Sequence, residues 1–165
     1  MTWFPSPYPD ELFYSVLCRY YLSSGIKEHY LVKKQLFGTK AGVKMATLYP
    51  NATVHAALLQ LPDGVFDERD MILRHTPFLY YARMYPQEER EVLLDDLVQG
   101  RSRTPTHLWK TFPKDNYALR YCPSCVQEDT QIYGEPYYHV EHQIPLSSVC
   151  VRHKCRLKQI AVDNP

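Results

Sequence analysis

Two stretches decide how the C-terminal third of this sequence folds: Cys122-Pro123-Ser124-Cys125 and Cys150-Val151-Arg152-His153. In each, two residues separate the outer side chains, so one tight turn can direct both toward a single ion. A tetrahedral structural zinc site is built from two such turns, which the intervening chain brings together. Thiolate and imidazole are ligands that zinc prefers. The sequence therefore predicts one structural Zn²⁺ with four ligands: Cys122, Cys125, Cys150 and His153.

Other uses of these cysteines remain open on the sequence alone. Cys155 lies two residues after His153 and can replace it, giving a site with four sulfurs. Cys-Pro-Ser-Cys also resembles a thioredoxin-type redox pair, which requires a helix N-terminus within a βαβ unit. The preceding segment predicts no such unit. Four unliganded thiols are a third interpretation, which the repeated two-residue spacing disfavours.

His139 and His142 lie between the two turns and flank Glu141. Two histidines three residues apart beside a carboxylate are also found in catalytic metal sites. Because four ligands are already assigned, we expect both histidines to support the ligands or to lie at the surface. The sequence shows no phosphate-binding loop, no supported triad of acids and no nucleophile with an evident base, so we predict that the protein is not an enzyme.

The first hundred residues predict short helices. Residues 3–9 (WFPSPYP) form an aromatic and proline-rich arm, and the apolar residues that follow recur at the spacing of an amphipathic helix. Asp10 is the predicted N-cap, Glu11 is expected in the first turn, and Gly25 is expected just past the end. Further helices are predicted over about 27–37, after Asn51, over 67–75 and 78–85, and from Pro86 to Gly100.

These patterns predict a mainly α fold with a small zinc-ribbon-like (α+β) module at the C-terminus. The predicted organisation is a helical domain over 1–100, a basic linker over 101–120 and the module over 121–165. The order of helix, glycine turn and basic helix is compatible with a helix-turn-helix. Residues 121–158 contain few large aliphatic side chains, so we expect metal binding to replace a missing hydrophobic core.

The charge of the chain is unevenly distributed. The formal net charge is only +1, but residues 66–96 contain eight acids and four arginines. The C-terminal part is basic, which predicts a local surface for phosphates. The candidate DNA-binding residues are Arg101, Arg103, Lys110, Lys114, Arg120, Arg152, Lys154, Arg156 and Lys158. No apolar run approaches the length of a membrane helix and no secretory signal is evident, so the expected compartment is the cytoplasm.

Both ends of the chain resemble one known family. The N-terminal FPSPYPDELFYSVLCRYYLSSG, the segment LRYCPSC and the segment YGEPYYHVEHQIPLSSVCVRHKCRL are similar to the TniQ/TnsD family. Proteins of this family select target sites for Tn7-like and CRISPR-associated transposons. The resemblance covers about residues 3–25 and 119–157. Because family members usually continue further, we expect this chain to be a piece of a longer protein.

The resemblance implies a target-selection adaptor without an enzymatic step. Such an adaptor recognises target DNA, or a guide-RNA effector complex, and recruits a TnsC-like AAA+ ATPase that engages the transposase. It also implies that Cys122, Cys125, Cys150 and His153 occupy the zinc-ligand positions of the family. The aromatic side chains of the arm are candidate contacts for the ATPase: Trp3, Phe4 and Tyr8.

Two alternatives to this function remain. The first is a general zinc-ribbon DNA-binding protein that has no ATPase partner. The second is an enzyme, either a CxxC thiol oxidoreductase or a zinc hydrolase that uses His139 and His142.

Overall fold

The structure is a computed structural model that describes residues 3–38, 53–101 and 118–161. The helical part, residues 3–38 and 53–101, contains α1 (Phe13–Ser24), α2 (His29–Phe37), α3 (Thr53–Leu58), α4 (Glu68–His75), α5 (Phe78–Ala82) and α6 (Gln87–Val98). The cysteine–histidine module, residues 118–161, contains β1 (Ala118–Tyr121), α7 (Pro123–Tyr133), α8 (Val140–Gln143) and β2 (Lys158–Ala161). The chain is therefore mainly helical, as predicted.

Local sequence signals explain several helix ends. α1 is followed by Gly25, whose φ of 67° is readily adopted by glycine because it has no Cβ. The Asp67 side chain caps α4 by accepting hydrogen bonds from the backbone N–H groups of Arg69 and Asp70. Pro86 precedes α6 and accepts the first helical hydrogen bond, from Arg90. These boundaries lie close to the predicted ones.

The start of α1 differs from the prediction. Its N-cap residue is Leu12, and Asp10 has a left-handed φ of 57°. The Leu12 N–H donates to the Tyr138 carbonyl at 2.7 Å, and the Val140 N–H donates to the Asp10 carbonyl at 2.8 Å. This pairing with the module holds Glu11 and Leu12 outside the helix, which begins only at Phe13, so the predicted cap at Asp10 is wrong.

One hydrophobic core lies within the helical part. Aliphatic and aromatic side chains from α1 to α6 pack together there, and Val16, Leu17 and Leu36 are completely buried. The side chain of Phe4 belongs to the same core and is 7% exposed. At Phe4, therefore, the arm is packed into the core and does not project into solvent.

In the module, β1 and β2 form a two-stranded antiparallel sheet in which Leu119 pairs with Ile160 and Tyr121 with Lys158. The module thus contains two helices besides the strand pair, and its description as a zinc ribbon is not confirmed. The division into domains 1–100, 101–120 and 121–165 stays a prediction, since most of the linker lies outside the described residues. The predicted cap at Asn51 also lies outside them. Among the helices described, none is long and apolar enough to cross a membrane.

Candidate metal centre

The first cysteine pair lies where β1 passes into α7. Cys122 is the N-cap residue of α7, and its sulfur accepts the N–H of Cys125 at 3.4 Å. Pro123 occupies the first turn, where backbone N–H groups have no partner within the helix. The missing N–H of proline therefore costs no helical hydrogen bond. The first ligand pair therefore lies at a helix N-terminus, which carries partial positive charge.

The second pair lies in a tight turn between two paired backbone segments. Val149 and Arg156 form an antiparallel bridge, and the N–H of Cys150 donates to the Cys155 carbonyl at 2.9 Å. The sulfur of Cys150 accepts the N–H of His153 at 3.4 Å. Both pairs therefore have the same arrangement, in which the N–H of the second ligand residue bonds the sulfur of the first.

The two turns bring four ligand atoms together. One such atom from each of Cys122, Cys125, Cys150 and His153 lies within 4.8 Å of all the others. The Cys125 and Cys150 sulfurs are 3.8 Å apart. The Nδ1 of His153 lies 3.6, 3.3 and 3.7 Å from the sulfurs of Cys122, Cys125 and Cys150.

These distances fit a tetrahedral zinc ion. Zn–S bonds of about 2.3 Å and Zn–N bonds of about 2.0–2.1 Å place tetrahedral ligand atoms about 3.8 Å apart for two sulfurs and about 3.6 Å for sulfur and nitrogen. The four separations given above are within a few tenths of an ångström of these values. The four side chains could therefore hold one metal ion without a large rearrangement.

The electrostatics of the cluster also favour a cation. The three cysteines are buried, and their cluster includes the aliphatic side chain of Leu157. Burial raises the pKa of Cys125, and so do its S–H hydrogen bonds to the Cys122 and Cys150 sulfurs and the repulsion from their negative charge. Thiolates crowded in such surroundings require a compensating positive charge, which a divalent ion supplies.

His153 is oriented by a carboxylate. Its Nδ1 faces the sulfurs, and its Nε2 lies 3.4 Å from the carboxylate of Glu128 on α7. The same carboxylate accepts a hydrogen bond from Arg152 at 2.7 Å. A carboxylate behind a histidine fixes the ring and selects its tautomer, as in many metal sites. Glu128 was not identified from the sequence.

Cys155 occupies a different position from the four candidate ligands. Its sulfur lies 3.3 Å from the sulfur of Cys122. Cys155 does not belong to the group of four residues whose ligand atoms all lie within 4.8 Å of one another. The geometry therefore favours His153 over Cys155 as the fourth ligand.

His139 and His142 are both buried in the module rather than at its surface. Burial lowers the pKa of His139, but hydrogen bonds to Asp10 and Asp129 outweigh it, so the net shift is upward. Burial, together with the nearby His139, lowers the pKa of His142 to about 4. His142 Nε2 is 3.8 Å from the Cys125 sulfur, so this histidine adjoins the cluster.

A network of polar contacts joins α1 and the residues just before it to the module. The buried carboxylate of Glu11 accepts hydrogen bonds from the Tyr8 N–H at 2.8 Å and from Arg19 at 2.9 Å. Arg19 also donates to Glu135 at 2.7 Å and lies over the Tyr8 ring. Sequence reasoning missed this set because Glu135 lies more than a hundred residues from Tyr8 and Arg19.

The structure separates the predicted DNA-binding residues into three groups. Arg103, Lys110 and Lys114 lie outside the described residues. In the second group, Arg101 pairs with Asp96 and Arg152 with Glu128. The Arg120 guanidinium, also in this group, donates to the carbonyls of Ile144 and Ser147. Three other side chains are exposed and form no ion pair among the residues described: Lys154, Arg156 and Lys158.

Of the three aromatic residues predicted to contact a partner, Phe4 is buried, so its side chain is not available at the surface in this structure. It packs against the rings of Phe13 and Tyr20, and burial of this aromatic surface stabilises the core. Trp3 is 51% exposed and stacks on Tyr20, and Tyr8 is half-buried against Tyr133 and Tyr137. Trp3 borders an open cleft of about 490 Å³ that is also lined by Tyr20, Ser24, Ile26, Lys34, Gln35 and Gln60.

The fold and the site define a mainly helical protein with a cysteine–histidine module whose four clustered side chains could hold a metal ion. The chain belongs to the TniQ family, whose sequence profile matches residues 2–157. It is 28% identical over 153 residues to the transposon Tn7 transposition protein TnsD of Escherichia coli. That alignment covers 91% of this chain and 30% of TnsD, so the chain spans about a third of the length of this relative.

Proposed function

We propose that this chain is a target-site selection adaptor in DNA transposition. It links target DNA, or a guide-RNA effector complex, to a TnsC-like AAA+ ATPase and thereby to the transposase. The observation that carries this proposal is the match to the TniQ family across nearly the whole chain. The match spans both the aromatic arm and the cysteine–histidine module. The similarity to a Tn7 transposition protein supports the same process.

The metal in this proposal is one structural zinc ion, and the module is a zinc-ribbon-like platform extended by two helices. When bound, zinc supplies a crosslink between two distant turns. With four protein ligands, a tetrahedral ion has no position left for a substrate water. The proposed role is therefore recruitment without catalysis. It places the protein in the bacterial cytoplasm, at the nucleoid when it acts.

Contact with DNA is assigned to the exposed basic residues of the module. Lys154, Arg156 and Lys158 alternate along the chain from the second ligand turn into β2, so they can follow a row of phosphates. Arg120 is left out because its guanidinium is bound to two backbone carbonyls. Arg101 and Arg152 would have to leave acidic partners first.

Changing these three residues to glutamine tests the DNA interaction. The slope of log affinity against log salt concentration should become shallower by about one unit for each phosphate that the variant no longer neutralises. A matched control removes three exposed charges from the helical part: Lys27, Arg74 and Arg90. Equal slopes for both triple variants and the wild type would contradict the assignment.

The ATPase contact is assigned to the cleft beside Trp3. An exposed indole at the edge of a cleft, with Lys34 at its rim, is a typical anchor for a partner protein. The test is capture of the ATP-loaded ATPase by the metal-loaded chain. Trp3→Ala should weaken capture at least about tenfold, whereas Tyr30→Ala, which removes an aromatic ring that is 63% exposed on α2, should not.

The same experiments separate the alternatives. DNA binding without any ATPase capture would favour a general zinc-ribbon DNA-binding protein. Reduction of a disulfide substrate at a rate that depends on Cys122 and Cys125 would favour an oxidoreductase, and would contradict the recruitment role.

A further inference from the structure

The short helix α8 lies against the first ligand turn and contacts it through two consecutive side chains. The Gln143 amide accepts the N–H of Arg120 at 3.0 Å and donates to the carbonyl of the same residue at 2.8 Å. Arg120 lies two residues before Cys122, so this pair of bonds fixes the strand that leads into the turn. The preceding residue, His142, is 2% exposed and places its Nε2 3.8 Å from the sulfur of Cys125.

The three sulfurs of the candidate metal centre differ in their hydrogen bonds. Cys122 accepts the N–H of Cys125, and Cys150 accepts the N–H of His153. Within residues 3–38, 53–101 and 118–161, no backbone N–H donates to the sulfur of Cys125. A buried thiolate without such a donor carries more charge and is the more reactive ligand. The imidazole of His142 is the nearby group that can supply a donor, since its Nε2 lies 3.8 Å from this sulfur.

The surroundings of His142 determine which ring nitrogen carries the proton. Nε2 faces the sulfur of Cys125 and lies 3.6 Å from a carboxylate oxygen of Glu141. Nδ1 has no hydrogen-bond partner among the described residues. A proton on Nε2 faces the Cys125 sulfur, which can accept it. A proton on Nδ1 would instead be a buried donor without an acceptor and would leave the Nε2 lone pair facing a thiolate. The Nε2–H tautomer is therefore favoured.

We propose that His142 is a positioning residue of the metal centre, whose Nε2–H donates a hydrogen bond to the Cys125 thiolate when the metal is bound. This inference rests on the proposed zinc binding. The bond withdraws charge from the sulfur and holds it toward the ion, so it slows both metal release and attack by electrophiles at Cys125. Donors of this kind typically change metal affinity by about 10–100-fold.

The test compares the metal-loaded wild type with His142→Ala and His142→Gln in the full chain. Gln is the conservative variant because its amide N–H can reach a position similar to that of Nε2–H. Transfer of zinc to an excess of a coloured chelator should be about tenfold faster in His142→Ala and close to the wild-type rate in His142→Gln. His139→Gln is the matched control, since it changes a buried histidine of the same helix region that bonds Asp129 instead of a sulfur.

Two further readouts separate this role from general loosening of the module. In a limited alkylation of the zinc-loaded protein, His142→Ala should increase modification of Cys125 relative to Cys122 and Cys150, whereas His139→Gln should not change their order. With Co²⁺ in place of zinc, the thiolate-to-cobalt charge-transfer band should move to lower energy in His142→Ala, because the sulfur is more electron-rich, and should return in His142→Gln.

The wild-type protein alone provides a test that requires no variant to fold. A long-range ¹H–¹⁵N spectrum of the zinc-loaded chain identifies which nitrogen of His142 is protonated, and Nε2 is expected. The inference would be overturned if Nε2 is not protonated, or if zinc release from His142→Ala is as slow as from the wild type. It would also be overturned if His142→Ala loses tetrahedral Co²⁺ binding while His153→Ala keeps it. A wild-type chain that takes up no metal would overturn the proposed zinc function as well.

Discussion

The helical part and the cysteine–histidine module are stabilised in different ways. In the helical part, six helices contribute to one core, and side chains such as Leu17 and Leu36 are completely shielded from solvent. Burial of each such leucine contributes about 1.5–3 kcal/mol. The cluster at the ligand turns of the module consists of three cysteines and Leu157. The first region can therefore fold by apolar burial, whereas we expect the second to depend on the metal ion that its cysteines could hold.

Removal of the metal gives the largest expected difference between the two regions. Structural zinc binding in small domains is worth about 10–16 kcal/mol, and this free energy is lost when a strong chelator is added. We expect the amides of residues 118–161 to lose protection from hydrogen exchange first, while α1, α4 and α6 keep theirs. Elemental analysis should find one zinc per chain before chelation. A metal-free module that remains protected would contradict this account.

The contact between the two regions gives the next largest effect. Arg19→Met leaves the fully buried carboxylate of Glu11 without its cationic partner, and removal of one member of a buried ion pair costs about 3–5 kcal/mol. The control is Arg74→Met, which breaks an exposed pair with Asp70 that is worth about 0.3–0.5 kcal/mol. Urea unfolding measures both changes.

The pH dependence of Arg19→Met provides an independent check. Burial already raises the pKa of Glu11, although the Tyr8 N–H and Arg19 oppose the shift. A carboxyl group whose folded-state pKa is raised contributes stability that is present below its unfolded pKa and is lost as the pH rises through its folded pKa. Without Arg19 this shift is larger, so the stability difference from the wild type should shrink as the pH falls. A difference that is constant with pH would exclude Glu11 as its cause.

One leucine-to-alanine substitution in each region, which creates a cavity there, allows the two cores to be compared directly. Leu36→Ala should reduce the free energy of unfolding of the helical part by about 2–4 kcal/mol and leave the zinc content unchanged. Leu157→Ala removes an apolar neighbour of the cysteines, so it should accelerate zinc release while having a smaller effect on helical unfolding. Faster zinc release in Leu36→Ala than in Leu157→Ala would show that the two cores are not separate.

The features that could be predicted from the sequence are those encoded locally. Two-residue spacing identified both ligand turns, and glycine and proline marked helix ends near residues 25 and 86. The missed features depend on contacts that are distant in sequence. Asp10 was predicted to cap α1, but its backbone pairs with Val140, and Arg120 was predicted to contact DNA, but its acceptors are the carbonyls of Ile144 and Ser147. Neither partner could be identified without the fold.

The smallest expected effect is the loss of the helix cap at Asp67 in the helical part. The module has a residue at the corresponding cap position, Cys122. Asp67→Ala removes the side-chain acceptor at the start of α4, and loss of such a cap costs about 1 kcal/mol. Cys122 occupies the same position at the start of α7 and accepts the N–H of Cys125. Cys122→Ser keeps an acceptor there but replaces a thiolate ligand, so it should destabilise the module far more than a cap accounts for and should reduce the zinc content. If chemical unfolding shows that both substitutions cost about 1 kcal/mol, Cys122 acts as a cap alone and the contrast between the two regions is lost.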